Sequence, residues 1–497
     1  MSGVLRLTLC ALVWASVVVL LLSQARARRR GGETRGLDRA HGVEAVAVGL
    51  VALAIALAAG SRIPEREAMA LCHSAILNAD LDRVCETLTA YGKGNYRTSV
   101  HPLQCLLFQP PTLVIQAVTR LSDFRTSQVV SAVCLSLSAA LLWLLFRLRS
   151  GNQGQPPISA GARHPTEDHR HRNRWLSLVT RWQAGALVGL YVVSFGFLFH
   201  ASIPESAGIA TPSVVLPYLL LVVFSGRDFS RREHLLYLAA GILALGVTTT
   251  NVVHPLGCAL VRCLEGTPSR RVGLKRFGAL SCQLLALGAG LAVVQARLYP
   301  GCNLWFLPQM VRGETLWCRH DPLTTAAAGH TVLQMFGYGV VGPQFAVTDH
   351  LFRTEGFHLP YITAAEFPPS RLSPVRIALL VWTGAILLVA CYAIRREAVG
   401  RALFIGLGAN LALHLFYGYD LLLYVGDWLP AQVALMGVGL HAALRRRPRL
   451  AWLAVGLPLL LANNVQTFSD LRGRIVTLGA APEEAWRSVM DDGETID

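Results

Sequence analysis

The chain has 497 residues, of which 53% are hydrophobic and only 15% are charged. A soluble protein of this length would carry more charge and shorter apolar runs, so the composition excludes an ordinary soluble enzyme. Several apolar runs, among them residues 4–22, 43–59 and 377–394, reach the ~17–20 residues needed to cross about 30 Å of hydrocarbon. The sequence therefore predicts an all-α polytopic membrane protein.

The net charge of +15 would favour a nucleic-acid partner if the basic residues formed one face. Instead they lie in short loops between apolar runs, which is the positive-inside pattern of an inserted protein, so no nucleic-acid partner is predicted. Arginine greatly outnumbers lysine, and with abundant Ala, Leu and Gly this usage is typical of a high-GC bacterial genome. The predicted location is the bacterial inner (cytoplasmic) membrane.

Residues 1–42 are predicted to form an N-terminal span followed by a basic cytoplasmic loop. The apolar run covers residues 4–22, and its basic residues follow at 26–30. A secretory signal carries its charge before the apolar run, so we expect an uncleaved span whose N-terminus lies outside.

The predicted membrane core is residues 43–297, with a first external loop over residues 61–101. The next run, residues 102–118, is apolar but contains Pro110 and Pro111. Because paired prolines break a helix, we expect a re-entrant or interfacial segment there rather than a clean span, and whether it crosses the membrane stays open.

The apolar region 235–261 carries a second interruption. Basic residues flank both of its ends, so both ends are expected on the cytoplasmic side, and the region would form a hairpin of short half-helices that turns at residues 251–255. Irregular backbone at membrane depth is tolerated where it is buried in protein or lines a wet cavity, which makes Asn251 and His254 candidate substrate-binding residues. The alternative for His254 is a packing histidine with satisfied hydrogen bonds.

The rest of the chain is divided into a second large external loop, C-terminal membrane helices and an external tail, at residues 298–374, 375–465 and 466–497. Counting the hairpin as two, we expect about twelve transmembrane segments and two large extracytoplasmic loops. Each loop holds a cysteine pair that could form a disulfide, Cys302 with Cys318 and Cys72 with Cys85.

No nucleotide-binding or hydrolase motif is present, and no cofactor is predicted. No spacing of histidines and carboxylates indicates a metal site, which leaves a divalent-metal requirement open. The conspicuous polar residues gather in the predicted external segments: Asp80, Asp82, Arg83, Arg97, His101, Glu205, Asp420 and Asp427. A carboxylate there suits removal of a proton from an acceptor that attacks an anomeric carbon. Arginine or histidine would stabilise a departing lipid phosphate.

Three features of residues 43–297 resemble the type-C glycosyltransferase superfamily, polytopic enzymes that use polyprenyl-phosphate sugars. They are the acidic first loop closed by His-Pro-Leu at residues 101–103, the Pro-Glu-Ser turn at 204–206, and Thr-Asn at 250–251. The resemblance implies a membrane glycosyltransferase that moves a sugar from a polyprenyl-phosphate donor to an extracytoplasmic acceptor. Its partners would be the polyprenyl-phosphate-linked sugar and membrane lipid.

In such enzymes a first-loop aspartate is the catalytic base, a role that the resemblance gives to Asp80, with Asp82 as its rival. Arg83 and Arg97 are then expected to bind phosphate, while His101 and Glu205 shape the site. Two alternatives stay open. A multi-pass transporter or lipid flippase without transferase activity would depend on Asn251 and His254, and a structural or assembly protein would need none of the first-loop carboxylates.

Overall fold

The computed structural model describes residues 39–71, 76–77, 79, 81–90, 100–151, 181–225, 228–299, 301–308, 312, 324–352, 357–364, 373–395, 397–417, 421–444 and 451–480. The predicted N-terminal span at residues 4–22 lies outside these ranges, as do Asp80, Arg97, Cys72 and Cys318.

The described chain is mainly helical. Its N-terminal part contains α1 (Arg39–Arg62), α2 (Glu65–Ala70), α3 (Leu81–Thr89), α4 (Gln104–Thr119), α5 (Asp123–Gly151), α6 (Arg181–Val192), α7 (Phe195–Ser202), α8 (Ser206–Phe224), α9 (Arg231–Val247), the 3-10 helix Thr249–Val252, α10 (Val253–Glu265) and α11 (Arg270–Leu298). Its C-terminal part contains α12 (Thr325–Leu333), the π-helix Gln334–Tyr338, strands β1 (Phe345–Phe352) and β2 (Phe357–Ala364), α13 (Pro374–Ile394), α14 (Ala398–His414), the 3-10 helix Leu421–Asp427, α15 (Leu429–Leu444) and α16 (Ala451–Ala480).

Five described helices are long and apolar enough to cross a membrane: α1, α5, α8, α11 and α13. The number rises to seven if two bent pairs each form one span, α6 with α7 at 54° and Leu421–Asp427 with α15 at 58°. The fold is that of a helical multi-pass membrane protein. The predicted count of about twelve segments is not confirmed by the described residues.

Helix α8 forms the centre of the bundle. It is apolar on every side and almost wholly buried, and it packs against α5, α9, α10, α14, α15 and Leu421–Asp427. A helix that is apolar all round belongs in such a protein interior. Helices α1 and α13 instead expose large apolar side chains, with Val43 70% and Leu388 74% exposed. These faces are the ones expected to contact lipid.

The predicted break within residues 235–261 is confirmed. Helix α9 ends at Val247, Thr248 is extended, and a 3-10 turn leads into α10. A buried ion pair joins Glu233, in the first turn of α9, to Arg262, near the end of α10, with Nε–Oε1 at 2.6 Å. Because this pair brings the outer ends of the two helices together, α9 and α10 form a hairpin, as predicted.

The expectation that Pro110 and Pro111 break the chain is wrong. Both lie inside α4, a helix of 16 residues. Packing holds α4 together, since its residues from Gln104 to Pro110 are buried and the Gln109 side chain donates to the carbonyls of Thr87 and Ala90, each at 3.0 Å. At about 1.5 Å per residue, α4 is roughly 24 Å long, which is less than the hydrocarbon thickness.

The second predicted external loop contains the only sheet among the described residues, so "all-α" needs a correction. Strands β1 and β2 pair antiparallel, with Phe345 opposite Ala364 and Phe352 opposite Phe357. The first external loop joins them through the Leu77 N–H, which donates to the Ile362 carbonyl at 2.8 Å. The two predicted external loops are therefore joined by a backbone hydrogen bond.

Each cysteine pair suggested by the sequence has one member outside the described residues, Cys72 or Cys318, so both pairings stay predictions. The Cys302 sulfur lies 3.8 Å from that of Cys105, on α4. Cys85 is a buried thiol in α3, and burial raises its pKa to about 12, so the thiol stays protonated at neutral pH.

Helix α16 runs without interruption through residue 465, where the sequence places the start of an external tail. Its Asn464 is fully buried and clamps two irregular segments. The Asn464 amide donates to the carbonyls of Val193 and Val340 at 2.8 and 2.7 Å, and its oxygen accepts from the Gly342 N–H at 2.9 Å. These bonds fix the break between α6 and α7 against the turn after the π-helix.

Asn464→Leu keeps the branched shape of the side chain, although leucine is larger, and removes all three bonds to backbone groups. Since a buried polar group without a partner costs about 1–3 kcal/mol, we expect a clear fall in the free energy of unfolding and in the melting temperature of the detergent-solubilised protein. The matched control is Gln466→Leu, on the exposed side of the same helix. Equal melting temperatures for the two variants would show that Asn464 does not clamp the segments.

Candidate functional site

A small cavity lies where several segments predicted to be external meet. The residues lining it are Arg83, Val100, His101, Glu205, Ser206, Ala207, Thr248, Leu423, Tyr424 and Asp427. They come from α3, the approach to α4, the start of α8, the α9–α10 break and the 3-10 helix Leu421–Asp427. The space measures about 10 Å³, room for about one water molecule.

Two of the three sequence features on which the predicted resemblance rests line this cavity. The first loop supplies Arg83 and His101, and the Pro-Glu-Ser turn supplies Glu205 and Ser206, whereas the Thr-Asn pair at 250–251 lies just beyond the lining residue Thr248. Backbone hydrogen bonds fix the arrangement, since Thr249 N donates to the Val100 carbonyl at 2.8 Å. The structure therefore brings Arg83 and His101 of the first loop together with Glu205, which lies more than 100 positions later in the chain.

Hydrogen bonds hold both ring nitrogens of His101. Its Nδ1 lies 2.8 Å from the Val247 carbonyl oxygen, which can only accept, so Nδ1 carries a proton. The Nε2 atom lies 3.1 Å from the Ser206 hydroxyl, which can donate to a bare nitrogen or accept from a protonated one. His101 thus orients the Ser206 hydroxyl at the cavity wall.

Glu205 and Arg83 form a buried pair of opposite charge. Their side chains are 4% and 3% exposed, and Glu205 Oε1 lies 3.8 Å from Arg83 Nη2. The other carboxylate oxygen, Oε2, accepts from the Ser206 N–H at 3.0 Å, so Glu205 is the N-cap of α8. A carboxylate is favoured there because the N-terminus of a helix carries partial positive charge.

Asp427 is the second carboxylate of the cavity and is only 1% exposed. Its Oδ1 accepts from the Asn251 side-chain amide at 2.8 Å. Gly426, just before it, passes so close to the start of α8 that a β-carbon at this position would overlap the Ala207 carbonyl group. Close packing on one side and an amide donor on the other therefore place the Asp427 carboxylate.

His254 lies behind Asp427 and does not line the cavity. Its Nε2 lies 3.0 Å from the Asp427 carbonyl oxygen, and its Nδ1 lies 2.7 Å from the Tyr218 hydroxyl. The carbonyl requires a proton on Nε2, so the Tyr218 hydroxyl donates to Nδ1. This geometry fits the alternative of a hydrogen-bonded packing histidine, one that supports Asp427 through the backbone.

The structure does not bring Asp82 into the cavity. Asp82 is half-exposed on α3 and is absent from the lining, and Asp80 and Arg97 lie outside the described residues. Sequence reasoning noted Asp427 as an external carboxylate but did not select it, nor Ser206 or Thr248. For Asp427 the available signal is a lone carboxylate between two apolar runs, at 421–425 and 428–431.

In the part of the chain that the structure describes, a guanidinium, an imidazole, two carboxyl groups and three hydroxyls thus border one small cavity. This set can bind an anionic group and accept a proton from a nearby hydroxyl. Among the described residues, no group of three or more histidine, cysteine or acidic side chains is arranged to hold a metal ion.

No family model matches this chain, and no curated protein or solved structure matches it either.

Proposed function

We propose that the chain is an integral-membrane glycosyltransferase of a bacterial cytoplasmic membrane, with about twelve transmembrane segments. It would transfer a sugar from a polyprenyl-phosphate donor to an extracytoplasmic acceptor. The observation that carries the proposal is the meeting of Arg83, His101, Glu205 and Asp427 around one cavity, on segments that the charge pattern predicts to be external.

The proposed reaction is a substitution at the anomeric carbon of the donor. An acceptor hydroxyl or amine attacks this carbon, the bond to the phosphate oxygen breaks, and polyprenyl phosphate leaves. The acceptor's proton passes to a carboxylate, proposed to be Asp80 or its rival Asp82, with Asp427 as the carboxylate that holds the acceptor in the cavity. Arg83, with Arg97, stabilises the negative charge on the departing phosphate.

The cavity is smaller than a sugar, so the lining side chains must move apart when the donor binds. Two of the walls consist of short irregular segments, the α9–α10 break and Leu421–Asp427. Segments that open to admit substrate and close over it are common in enzymes that exclude water from the reaction.

The proposal is tested by giving the purified protein a panel of labelled polyprenyl-phosphate sugars and measuring release of polyprenyl phosphate by chromatography. We expect one of the variants Asp80→Asn and Asp82→Asn to lose about 10²–10⁴-fold in rate, because a general base contributes that much. Unchanged transfer by both variants would show that neither first-loop aspartate is the catalytic base. An inactive wild type across the donor panel would count against the glycosyltransferase.

A transporter or lipid flippase is the second candidate, because broken helices and buried polar turns also line transport paths. The α9–α10 hairpin and the two bent helix pairs are such features. Substitution of Asn251 does not separate the two functions, since Asn251 holds Asp427. The fate of the donor separates the two functions, because a flippase moves the lipid intact, whereas a transferase breaks the bond between sugar and phosphate.

A further inference from the structure

The positive groups of the cavity already face an anion, the protein's own Glu205. One carboxylate oxygen caps α8, a helix of 19 residues, and the other lies 3.8 Å from the Arg83 guanidinium. A guanidinium together with a helix N-terminus is the usual environment of a bound phosphate. Glu205 thus occupies the position that suits a phosphate oxygen.

Thr248 gives an independent sign that a ligand is accommodated here. It lines the same cavity, its side chain is 97% buried (3% exposed), and its Oγ1 has no hydrogen-bond partner among the described residues. A buried hydroxyl without a partner is costly and uncommon in folded proteins. A phosphate oxygen in the cavity would accept from this hydroxyl.

The charges show what such a ligand requires. Among the described lining residues Arg83 is the one guanidinium, and the Glu205 carboxylate already lies beside it. A phosphate entering while Glu205 stays in place would meet that carboxylate, and like charges in a desolvated site are strongly unfavourable. The ligand must therefore replace Glu205 beside Arg83.

We propose that the Glu205 carboxylate is a built-in competitor at a phosphate site formed by Arg83, the N-terminus of α8 and the Thr248 hydroxyl. A phosphate ester displaces it, and Glu205 returns when the ester leaves. The side chains around Glu205 move apart as it rotates, because the cavity has room for about one water molecule only. That the ester is a polyprenyl phosphate rests on the proposed function, whereas the competition itself does not.

Glu205→Gln separates a competitor from a binding residue. The amide oxygen still caps α8, but the negative charge is gone, so we expect phosphate esters to bind about tenfold more tightly or better. A direct ligand-binding role for Glu205 would give the opposite sign. Arg83→Gln is the comparison variant and should bind more weakly than wild type.

Thr248→Val keeps the shape of the side chain and removes a hydroxyl that has no partner in the described protein. We expect its melting temperature to equal or exceed that of wild type, while phosphate binding weakens roughly two- to tenfold, the loss of one hydrogen bond. A fall in melting temperature with unchanged binding would show that the hydroxyl serves the fold instead.

The measurement is calorimetric titration of the full-length protein in detergent with inorganic phosphate, farnesyl phosphate and uncharged farnesol. Tighter binding by Glu205→Gln, with weaker binding by Thr248→Val, supports the competition; binding of farnesyl phosphate alone identifies the ligand as a lipid headgroup. Equal or weaker binding by Glu205→Gln overturns the competition. It is also overturned if neither inorganic phosphate nor farnesyl phosphate binds to wild type or to Glu205→Gln. Transfer activity is scored separately: transfer without tighter binding overturns only the competition, and tighter binding without transfer overturns only the glycosyltransferase.

Discussion

Asp427→Asn is expected to lower sugar transfer by at least about 10²-fold while the protein stays folded. The change is isosteric, and the asparagine oxygen can still accept from the Asn251 amide that holds it. What is lost is a carboxyl group at the cavity wall, because an amide cannot take up the proton of the attacking hydroxyl. The measurement is the initial rate of polyprenyl-phosphate release, with the melting temperature recorded alongside.

The matched control is Asp470→Asn on α16, where the carboxylate is half-exposed and pairs with Arg474 one helical turn away. This variant makes the same exchange on a surface helix and should transfer sugar at the wild-type rate. Full activity of Asp427→Asn would show that the cavity carboxyl group takes no part in the reaction. Asp427→Glu adds a further check, because the longer side chain keeps the carboxyl group but misplaces it.

Glu233→Ala is expected to cost about 3–5 kcal/mol of stability, the largest effect on folding that the structure suggests. Glu233 and Arg262 are each 1% exposed, and the pair closes the α9–α10 hairpin. Removal of one partner leaves the other charge buried without compensation. The double variant Glu233→Leu with Arg262→Met should recover most of the loss, because it removes both charges. Chemical unfolding in detergent measures all three proteins.

An exposed ion pair three residues along α10 provides the control. Glu265 pairs with Arg401, and their side chains are 36% and 50% exposed. Water screens this pair, so Glu265→Ala should change stability by at most about 1 kcal/mol. If Glu233→Ala also lowered stability by no more than about 1 kcal/mol, the buried pair would stabilise the hairpin no more than the exposed pair does.

Much of the fold could be predicted because membrane insertion leaves a strong signal. The sequence predicts the turn of the hairpin at residues 251–255, and the structure has it slightly earlier, as the 3-10 helix Thr249–Val252. Short motifs also selected Arg83, His101 and Glu205, which do meet. These predictions rest on local properties, namely apolar length, flanking charge and residue types within a few positions.

Features that depend on distant contacts could not be predicted. Pro110 and Pro111 stay helical because α4 is packed against α3, which no local proline rule includes. Asp427 reaches the cavity across more than 220 residues from Glu205, and Asn464 closes a break on α6 that lies 271 positions earlier. Neither pairing has a counterpart in composition or spacing.

The passage of Gly426 against α8 affects how a mutational scan of this protein should be interpreted. Every substitution adds a β-carbon that collides with the Ala207 carbonyl and pushes Asp427 out of place. Gly426 would therefore tolerate no other amino acid, although it has no group that could take part in a reaction. Loss of activity on substitution of Gly426 therefore shows only that there is no space for a side chain. The isosteric exchange Asp427→Asn, at the next residue, tests whether the carboxyl group takes part in the reaction.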